Sequence, residues 1–275
     1  MPDVFVAGPA SWNRLVALDH LPEPRPHTAF ASGHRTALGG TSAGKALNLA
    51  ALGARVTLRT VVGDDEAGRS VVGSLSGAGV DLIAEVVPGP SEQHLNLMSP
   101  DGGRVSIYLE LPHLAEPVHD ERALTALADA DAAVIDLADS ARPFLAAARE
   151  AGVPVWCDVH DYDGRSAYHQ DFVDAADFLF LNDDGMPEPD LMAFLGAHGR
   201  PVVATRGARG AVAVVAGVPH QVPAAPVDRI VDANGAGDAF FAGFLVAHLA
   251  GADVPRALEA GAAQAARCLR SPDLA

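Results

Sequence analysis

The sequence has few cysteines and no long apolar run, and each shortage excludes a class of protein. Its 275 residues include two cysteines, Cys157 and Cys268, so neither a disulfide framework nor a cysteine metal site is expected. Cys157 lies in an apolar run, where a buried packing role is the expected one. No stretch has membrane-spanning length, and the first residues have no signal-peptide pattern. We therefore expect a cytoplasmic protein.

Basic residues are also scarce. Lysine and arginine number 19 against 35 aspartates and glutamates, for a formal charge of −16. Such an acidic surface repels phosphate backbones and anionic lipids, so we expect no nucleic-acid partner and no membrane partner. Hydrophobic residues make up 49% and charged residues 20%, which is typical of a folded globular chain.

Short apolar runs alternate with alanine-rich stretches, a pattern that predicts strands alternating with helices. The predicted strands are Val4–Ala7, Val56–Val62, Ala133–Ile135, Val155–Cys157, Phe178–Leu181, Val202–Ala204 and Val212–Val215. The predicted helices are Ala43–Leu52, Glu66–Ala78, Pro143–Ala151, Gly237–Ala250 and Pro255–Leu269. This order predicts an α/β fold with a doubly wound, mainly parallel sheet, in which ligands bind at the carboxyl ends of strands.

Two β-rich segments interrupt this alternation. Leu15–Leu18 and Thr28–Leu38 are expected to be exposed strands or loops, and His94–Met98 and Val105–Leu111 flank a hairpin turn at residues 99–103. We expect these segments, about 13–38 and 93–112, to project as β-rich additions from a single domain that spans residues 1–275.

The first of two glycine clusters covers residues 39–46, Gly-Gly-Thr-Ser-Ala-Gly-Lys-Ala. It has the glycine and lysine spacing of a P-loop, but Ala46 stands where a hydroxyl should bind magnesium. The cluster is better explained as a tight turn into a helix, with Gly39 and Gly40 leaving room for close approach of a ligand.

The second cluster covers residues 232–240, Asp-Ala-Asn-Gly-Ala-Gly-Asp-Ala-Phe, just before an apolar helix. Backbone N–H groups of Gly235, Ala236 and Gly237 can form an anion hole at the start of that helix. Asp238 either caps the helix or, beside such a hole, accepts a proton during phosphoryl transfer.

The second cluster closely resembles the signature of the ribokinase/PfkB carbohydrate kinase family. Other family segments resemble matching parts of this chain in the same order: Gly8 with Leu21-Pro22, Gly39-Gly40, Val62 to Gly68, Ala176 to Asn182, and Thr205 to Gly210. The resemblance implies a ribokinase-like fold and explains Gly39-Gly40 as a hinge on the substrate side.

The resemblance also implies an enzyme with specific residue roles. ATP would bind along Asn182, Thr205, Gly207 and Gly210, with Mg²⁺ on its phosphates, and Asp238 would deprotonate the acceptor hydroxyl. The projecting β segments would form a small β lid that closes over the substrate and excludes water, and two such lids would pair to form a homodimer.

The residues of the implied substrate side depart from the family pattern. Candidate substrate-binding residues are Asn13, Gly39, Gly40, Gly44, Lys45 and Asn48. Asn13 replaces the usual Asp, and Gly44 replaces the usual Asn. Asn48, one helical turn later, is either a substitute for that Asn or an exposed helix residue.

The residues of the implied phosphate side also depart from the family pattern. The family's Asn-x-x-Glu motif here ends in Gly185, so Asp183 or Asp184 would have to substitute for the Glu or is simply a solvated acid. The family's last segment is short, with the sequence ending at Ala275. Ala233 replaces the usual Thr, and Asp232 remains a candidate ligand for a monovalent cation.

The leading hypothesis is ATP-dependent phosphorylation of a hydroxyl on a small sugar, either a pentose or a ketohexose-like one. A nucleoside kinase of the same fold and a catalytically impaired sensor of sugars or nucleotides remain as alternatives. The changes at Gly44 and Gly185 favour the sensor, whereas Asp238 and the anion hole favour the enzyme.

Overall fold

Two β-sheets, one large and one small, organise the chain. The computed structural model describes residues 1–100, 102–114, 121–271 and Leu274. Asp101 of the predicted turn and Ala275 at the end of the sequence lie outside the described residues. In the described part of the turn, the N–H groups of Ser99 and Gly102 close it through the carbonyls of Gly103 and Ser99 respectively.

The described strands are, in chain order, β1 (Asp3–Ala7), β2 (Ser11–Ala17), β3 (Gly33–Gly39), β4 (Arg55–Gly63), β5 (Asp81–Val87), β6 (Gln93–Met98), β7 (Arg104–Glu110), β8 (Ala132–Ile135), β9 (Val155–Asp158), β10 (Phe178–Asn182), β11 (Val202–Thr205), β12 (Ala211–Val215) and β13 (Val218–Val222). The described helices are α1 (Thr41–Ala51), α2 (Glu66–Ser76), α3 (Glu121–Ala128), α4 (Arg142–Ala151), α5 (Ala167–Ala175), α6 (Glu188–Ala197), α7 (Ala236–Leu249) and α8 (Val254–Cys268).

The large sheet confirms the predicted doubly wound, mainly parallel topology. Among the described residues its strand order is β13-β12-β11-β10-β9-β8-β1-β4-β5. Every neighbouring pair from β11 through β5 is parallel, and only β12 and β13 add antiparallel at one edge. From the adjacent strands β1 and β8 the sheet grows in both directions, with β4 and β5 on one side and β9 to β13 on the other. Such a change of direction is typical of doubly wound sheets.

Helices cover both faces of the large sheet because its strands are apolar on both sides. Val4 and Val6 of β1 pack in one core with α1, α2, α7 and α8, whereas Phe5 and Ala7 pack in the other core with α3, α4, α5 and α6. Alternate side chains of a strand point to opposite faces, so a continuous apolar run supplies both cores. Cys157 is buried in the second core as a free thiol, which confirms its packing role.

The small sheet contains both segments of the predicted lid. Its order is β3-β2-β6-β7 within the described chain, with β2 parallel to β6 and the other two pairs antiparallel. The first segment differs from its prediction, since β2 begins at Ser11 and β3 only at Gly33. Three prolines at positions 22, 24 and 26 explain the irregular chain between these two strands.

Among the described β-strands and α-helices, five have no counterpart among the predicted elements: β5, β13, α3, α5 and α6. The two strands lie at the two edges of the large sheet, where one face meets solvent. Their charged or polar residues, such as Asp81 and Glu85 in β5, interrupt the apolar run that marks a buried strand. Among the helices that the structure describes, none is long and apolar enough to cross a membrane.

Candidate active site

Four neighbouring strands of the large sheet end in polar residues that form one rim. Asp136 directly follows β8, while Asp158, Asn182 and Thr205 are the last residues of β9, β10 and β11. Because these strands are parallel neighbours, their carboxyl ends lie at the same edge of the sheet. This rim is the edge at which doubly wound proteins bind their ligands.

Lys45 of α1 lies at the centre of a buried acidic cluster on this rim. Its Nζ atom lies 3.0 Å from Asp238 Oδ1, 3.1 Å from Asp136 Oδ1 and 3.3 Å from Asp158 Oδ2. The Lys45 and Asp136 side chains are fully buried. Ser42, one turn earlier on α1, donates a hydrogen bond of 2.7 Å to Asp136 Oδ2. One ammonium group therefore faces three carboxylates in a nearly dry site.

Burial and the charge of Lys45 or of its carboxylate partners have opposite effects on the pKa values of these groups. Burial alone would lower the pKa of Lys45, but Asp136, Asp238 and Asp158 outweigh it and raise that pKa, so the amine stays charged. Burial raises the pKa of Asp238 despite the opposing charge of Lys45. At Asp158, burial is outweighed by His160, Lys45 and the His160 N–H group, and the pKa falls.

The second glycine cluster forms the start of α7, as the sequence predicts. Gly235 caps the helix with a left-handed backbone, φ 77°, that residues other than glycine rarely adopt. The N–H groups of Ala236, Gly237 and Asp238 precede the first helical hydrogen bond, which runs from Ala239 N to Gly235 O. The buried Asp238 carboxylate lies in this first turn. A carboxylate and a helix N-terminus suited to anions thus occupy one place.

A small cavity joins this helix end to the nucleotide-side candidates. Its volume is about 50 Å³. Its lining residues come from the ends of the parallel strands and from α7: Asp158, His160, Phe180, Leu181, Asn182, Thr205 and Gly237. The structure therefore brings Asn182 and Thr205 together with the predicted anion hole.

The turn after β11 holds the other two nucleotide-side candidates. Gly207 and Gly210 have positive φ angles of 52° and 84°. The N–H of Arg206 donates to the carbonyl of Gly210 at 2.8 Å and closes the turn. A Cβ atom at Gly210 would lie 2.0 Å from the carbonyl oxygen of Val222, so only glycine fits there.

The loop after β10 gives the candidate substitutes for the missing Glu different surroundings. A Cβ atom on Gly185 would lie 2.2 Å from the carbonyl oxygen of Asp161, so no larger side chain fits this backbone. Asp183 forms an ion pair with Arg209, whereas Asp184 is exposed. Between the two, Asp184 has the carboxylate that is open to solvent.

On the substrate side, Asn13 and the double glycine are in contact. Asn13 lies in β2, and its Oδ1 accepts a hydrogen bond of 3.1 Å from the N–H of His94. A Cβ atom on Gly39 would lie 2.1 Å from Asn13 Nδ2. Gly40 has a φ of 89° and leads directly into α1. The double glycine thus lets the chain pass close to Asn13 before the helix begins.

Gly44 and Asn48 lie one turn apart on α1 but face different surroundings. A Cβ atom on Gly44 would lie 2.6 Å from Asp238 Oδ2, so the missing side chain is what admits the carboxylate. The Asn48 amide donates to the carbonyls of Gly44 at 2.9 Å and Leu274 at 2.6 Å, and it accepts from Gln264 at 2.8 Å. Asn48 is fully buried rather than exposed, and these bonds favour a packing role over substrate binding.

Asp232, the candidate cation ligand, is bonded to protein groups. Arg35 of β3 donates to its Oδ2 at 2.6 Å, and Asn234 donates its N–H to Oδ1 at 2.8 Å. Arg104 of β7 lies 3.5 Å from Asn234 Oδ1. Two arginines of the small sheet thus contact the segment that leads into α7. A monovalent cation at Asp232 would compete with the charge of Arg35.

The sequence argument missed Asp136, Asp158, His160 and Arg35. Asp136 and Asp158 did carry a signal, since each follows an apolar run that was predicted to be a parallel strand. His160 carried none, and its positive φ of 50° emerges only in the structure. Arg35 could not be found from sequence, because it reaches Asp232 across 197 residues.

A larger concavity, of about 690 Å³, lies at the opposite end of the large sheet. It is lined by residues at the amino ends of strands, including Asp3, Arg55 and Asp81. None of the clustered polar residues of the carboxyl-end rim lines it. The rim with Asp238 is therefore the candidate active site.

Comparisons with known proteins agree with this fold and site. The sequence model of the pfkB family carbohydrate kinases matches residues 1–274. The acarbose 7(IV)-phosphotransferase of Actinoplanes sp. is 30% identical over 270 residues, 94% of this chain and 89% of that protein. An ATP-dependent ribose-1-phosphate kinase of Halopiger xanaduensis is 33% identical over 271 residues, again 94% and 89%.

A solved structure extends the comparison to the fold. Arabidopsis thaliana ribokinase, complexed with ribose and ATP, superposes with a TM-score of 0.81 and is 25% identical, over 99% of this chain and 94% of that one. The sheet, its smaller lid sheet and the site thus define a ribokinase-like phosphotransferase. More particularly, the chain belongs to the PfkB family of carbohydrate kinases, and it is an enzyme of sugar phosphorylation.

Proposed function

We propose that this enzyme transfers the γ-phosphoryl group of ATP to a hydroxyl of a small sugar, with Asp238 as the general base. The observation that carries the proposal is the position of a buried carboxylate within the first turn of α7. Phosphoryl transfer needs an acceptor for the hydroxyl proton and a group that stabilises charge on the phosphoryl oxygens. Asp238 and the N–H groups of Gly235, Ala236 and Gly237 are suited to these two tasks.

The proposed step balances as follows. The sugar hydroxyl gives its proton to Asp238 while its oxygen forms a bond to the γ-phosphorus. The bond between that phosphorus and the bridging oxygen of ADP breaks, and ADP leaves. The N–H groups at the start of α7 stabilise the transferring group, which carries the charge of three oxygens. The lid excludes water, which would otherwise compete as the acceptor.

The geometry of the Asp238 carboxylate supports its role. Oδ1 accepts a hydrogen bond of 3.0 Å from Lys45, while no donor among the described residues reaches Oδ2. Oδ2 is also the oxygen that lies against the bare backbone of Gly44, which lets the carboxylate take this position. We therefore assign Oδ2 as the atom that accepts the proton.

ATP is proposed to bind along the ends of β10 and β11. The name of the Halopiger relative and the ATP complex of the Arabidopsis ribokinase support ATP as the donor. Asn182 and Thr205 line the small cavity beside Gly237, and the turn with Gly207 and Gly210 continues from them. The γ-phosphate would then meet the anion hole while the rest of the nucleotide follows the strand ends.

Mg²⁺ is proposed to bind mainly through the ATP phosphates. Magnesium sites in such enzymes use one or two protein carboxylates, phosphate oxygens and water. In the described part of the chain no group of three or more metal-binding side chains is arranged to hold a metal ion, and Asp184 offers an exposed carboxylate near Asn182. A single exposed carboxylate fits a magnesium ion that arrives bound to the nucleotide. Such an ion would neutralise charge on the phosphates.

For the acceptor we propose an uncharged sugar, a pentose or a ketohexose-like one. Relatives are named for acarbose and for ribose 1-phosphate, and Arabidopsis ribokinase was solved with ribose. Three carboxylates against one lysine leave the site acidic, so a second phosphate on the substrate would be repelled. This charge favours ribose over ribose 1-phosphate.

The oligomeric state and the cellular location that the sequence predicts remain proposals. A homodimer through the lid is supported by β7, an edge strand whose Val105, Ile107 and Leu109 are all exposed on one face. Light scattering on Ile107→Lys tests it, because a dimer through this face should become a monomer. The enzyme is proposed to act in the cytoplasm, where ATP is plentiful.

The test of the proposed function is an ADP-release assay with a panel of acceptors: ribose, fructose, acarbose, ribose 1-phosphate, adenosine and inosine. Stimulation by a sugar supports the proposal. Stimulation by a nucleoside alone supports the nucleoside kinase, and tight sugar binding without ADP release supports the sensor.

A pair of matched variants then tests the base. Asp238→Asn should lower turnover by about 10²–10⁴-fold while ATP affinity changes little. Asp253→Asn is the control, because Asp253 also lies at a helix start, where it accepts from the N–H of Arg256 at 3.0 Å. Equal turnover in wild type and Asp238→Asn would contradict the base role.

A further inference from the structure

The position of Lys45 is the feature that the resemblance to known kinases left unexplained. Its ammonium group contacts carboxylates from three separate elements: Asp136 after β8, Asp158 of β9 and Asp238 of α7. These carboxylates number three against a single lysine. Without Lys45, three negative charges would share a buried site, which is strongly unfavourable.

The fold holds Lys45 rigidly in this place. Helix α1 begins just after Gly40, so its first turns cross the carboxyl ends of the parallel strands and pack against α7. The Nζ atom also lies 5.2 Å from the centre of the Phe241 ring, one turn after Asp238. The side chain has no exposed surface. A sugar bound in the cleft therefore cannot reach Lys45 unless the cluster opens.

We propose that Lys45 is a positioning residue for Asp238, whose carboxylate it holds in place and ionised beside two other buried carboxylates. The inference rests on the proposed base role of Asp238. It replaces the expectation that Lys45 binds substrate. A hydrogen bond to Oδ1 fixes the orientation of the carboxylate, and the charge of the ammonium group offsets the repulsion from Asp136 and Asp158.

The groups that face Asp238 come from four neighbouring elements. Lys45 and the positive form of His160 favour its ionised state, whereas burial, Asp158 and Asp136 oppose it and raise its pKa. Burial, together with the charges of Asp238 and Asp232, raises the pKa of the Cys268 thiol of α8 to about 11, so this thiol stays neutral at neutral pH. Lys45 is the group with a permanent positive charge among these, so its removal should have the largest effect.

The experiment compares pH profiles of kcat in purified variants, with ADP release as the readout. Lys45→Met keeps most of the buried volume but removes the charge. We expect the acid limb of its profile to move up by at least one pH unit, because more of Asp238 is protonated. In the double variant Lys45→Met/Asp136→Asn one competing carboxylate is also gone, and the limb should move part of the way back.

Asp136→Asn alone keeps the test decisive if Lys45→Met does not fold. It leaves Lys45 in place and removes one like charge, so the acid limb should move down. Separate measurement of kcat and of the sugar KM distinguishes a positioning role of Lys45 from a direct contact with the substrate. A positioning role lowers kcat at neutral pH with the sugar KM nearly unchanged, whereas a substrate contact raises that KM.

The outcomes distinguish this inference from the proposed function. Wild-type turnover in Asp238→Asn would remove the base role and, with it, the role of Lys45. A large loss in Asp238→Asn, together with unmoved acid limbs in folded Lys45→Met and in Asp136→Asn, would overturn only the inference. A raised sugar KM with unchanged kcat in Lys45→Met would also overturn it.

Discussion

Adding one methyl group at Gly44 is expected to displace the Asp238 carboxylate. A Cβ atom at this position would lie 2.6 Å from Asp238 Oδ2 and 3.1 Å from its Cβ and Cγ atoms. Ordinary contact begins near 3.4 Å, so Oδ2 must retreat by about 0.8 Å. It cannot turn freely, because Lys45 holds the other oxygen at 3.0 Å.

The displacement should affect catalysis more than stability. A shift of about 1 Å in a reacting group can cost on the order of 10²-fold in rate, so kcat of Gly44→Ala should fall by about 10- to 100-fold. For stability, alanine in a helix gains about 1 kcal/mol over glycine, while overpacking costs about 1–3 kcal/mol. The net change in unfolding free energy is therefore small or moderately unfavourable.

The assay combines ADP release with thermal unfolding of the same preparations. Gly73→Ala is the matched control, because Gly73 is also inside a helix but has no atom within 4 Å of its added Cβ. It should keep wild-type kcat and gain up to about 1 kcal/mol of stability. A folded Gly44→Ala enzyme with kcat within about twofold of wild type would refute the assignment of Oδ2 as the reacting atom.

Three further predictions concern charge and packing. Because burial raises the pKa of Asp238 above 3.8, and the base form is the ionised one, kcat/KM should fall on acidification already above pH 3.8; a profile flat to that pH would contradict this. Because Arg35 supplies the positive charge at Asp232, replacing K⁺ by tetramethylammonium should change turnover by less than about twofold, whereas Arg35→Ala should make turnover depend on K⁺. Asn48→Ala should lower the unfolding free energy by about 2–3 kcal/mol, since Gln264 loses its acceptor and the carbonyls of Gly44 and Leu274 each lose a donor. A higher sugar KM without that loss of stability would instead support substrate binding by Asn48.

Local sequence patterns were sufficient to predict the buried strands and most of the helices packed on them, because these patterns reflect side-chain preferences that act over a few residues. The buried strands are short apolar runs whose alternate side chains supply two cores, and the helices between them end at glycines such as Gly152. The start of α7 was also predictable, since the left-handed Gly235 and the acidic first turn are written within a few residues. Edge strands β5 and β13 escaped prediction because half of their surface faces solvent.

Pairings between distant residues were not predictable in the same way. Lys45 was expected on the substrate side because it follows a glycine turn, yet tertiary packing buries it among three carboxylates. Asn48 was expected either to bind substrate or to be exposed, yet it bonds to residues more than 200 positions away. These outcomes depend on how α1 packs against α7 and α8, which no local pattern encodes.

The amino-acid sequence alone determined that this protein has a doubly wound sheet, a lid and an Asp238 beside a helix start suited to anions. Hydrophobic periodicity and glycine conformation act over a few residues, so they are legible in the chain itself. Only the tertiary structure decided the partners of Asp238: Lys45 at one oxygen and the bare backbone of Gly44 at the other. Electrostatic and steric contacts act through space, so they become definite only when distant segments meet.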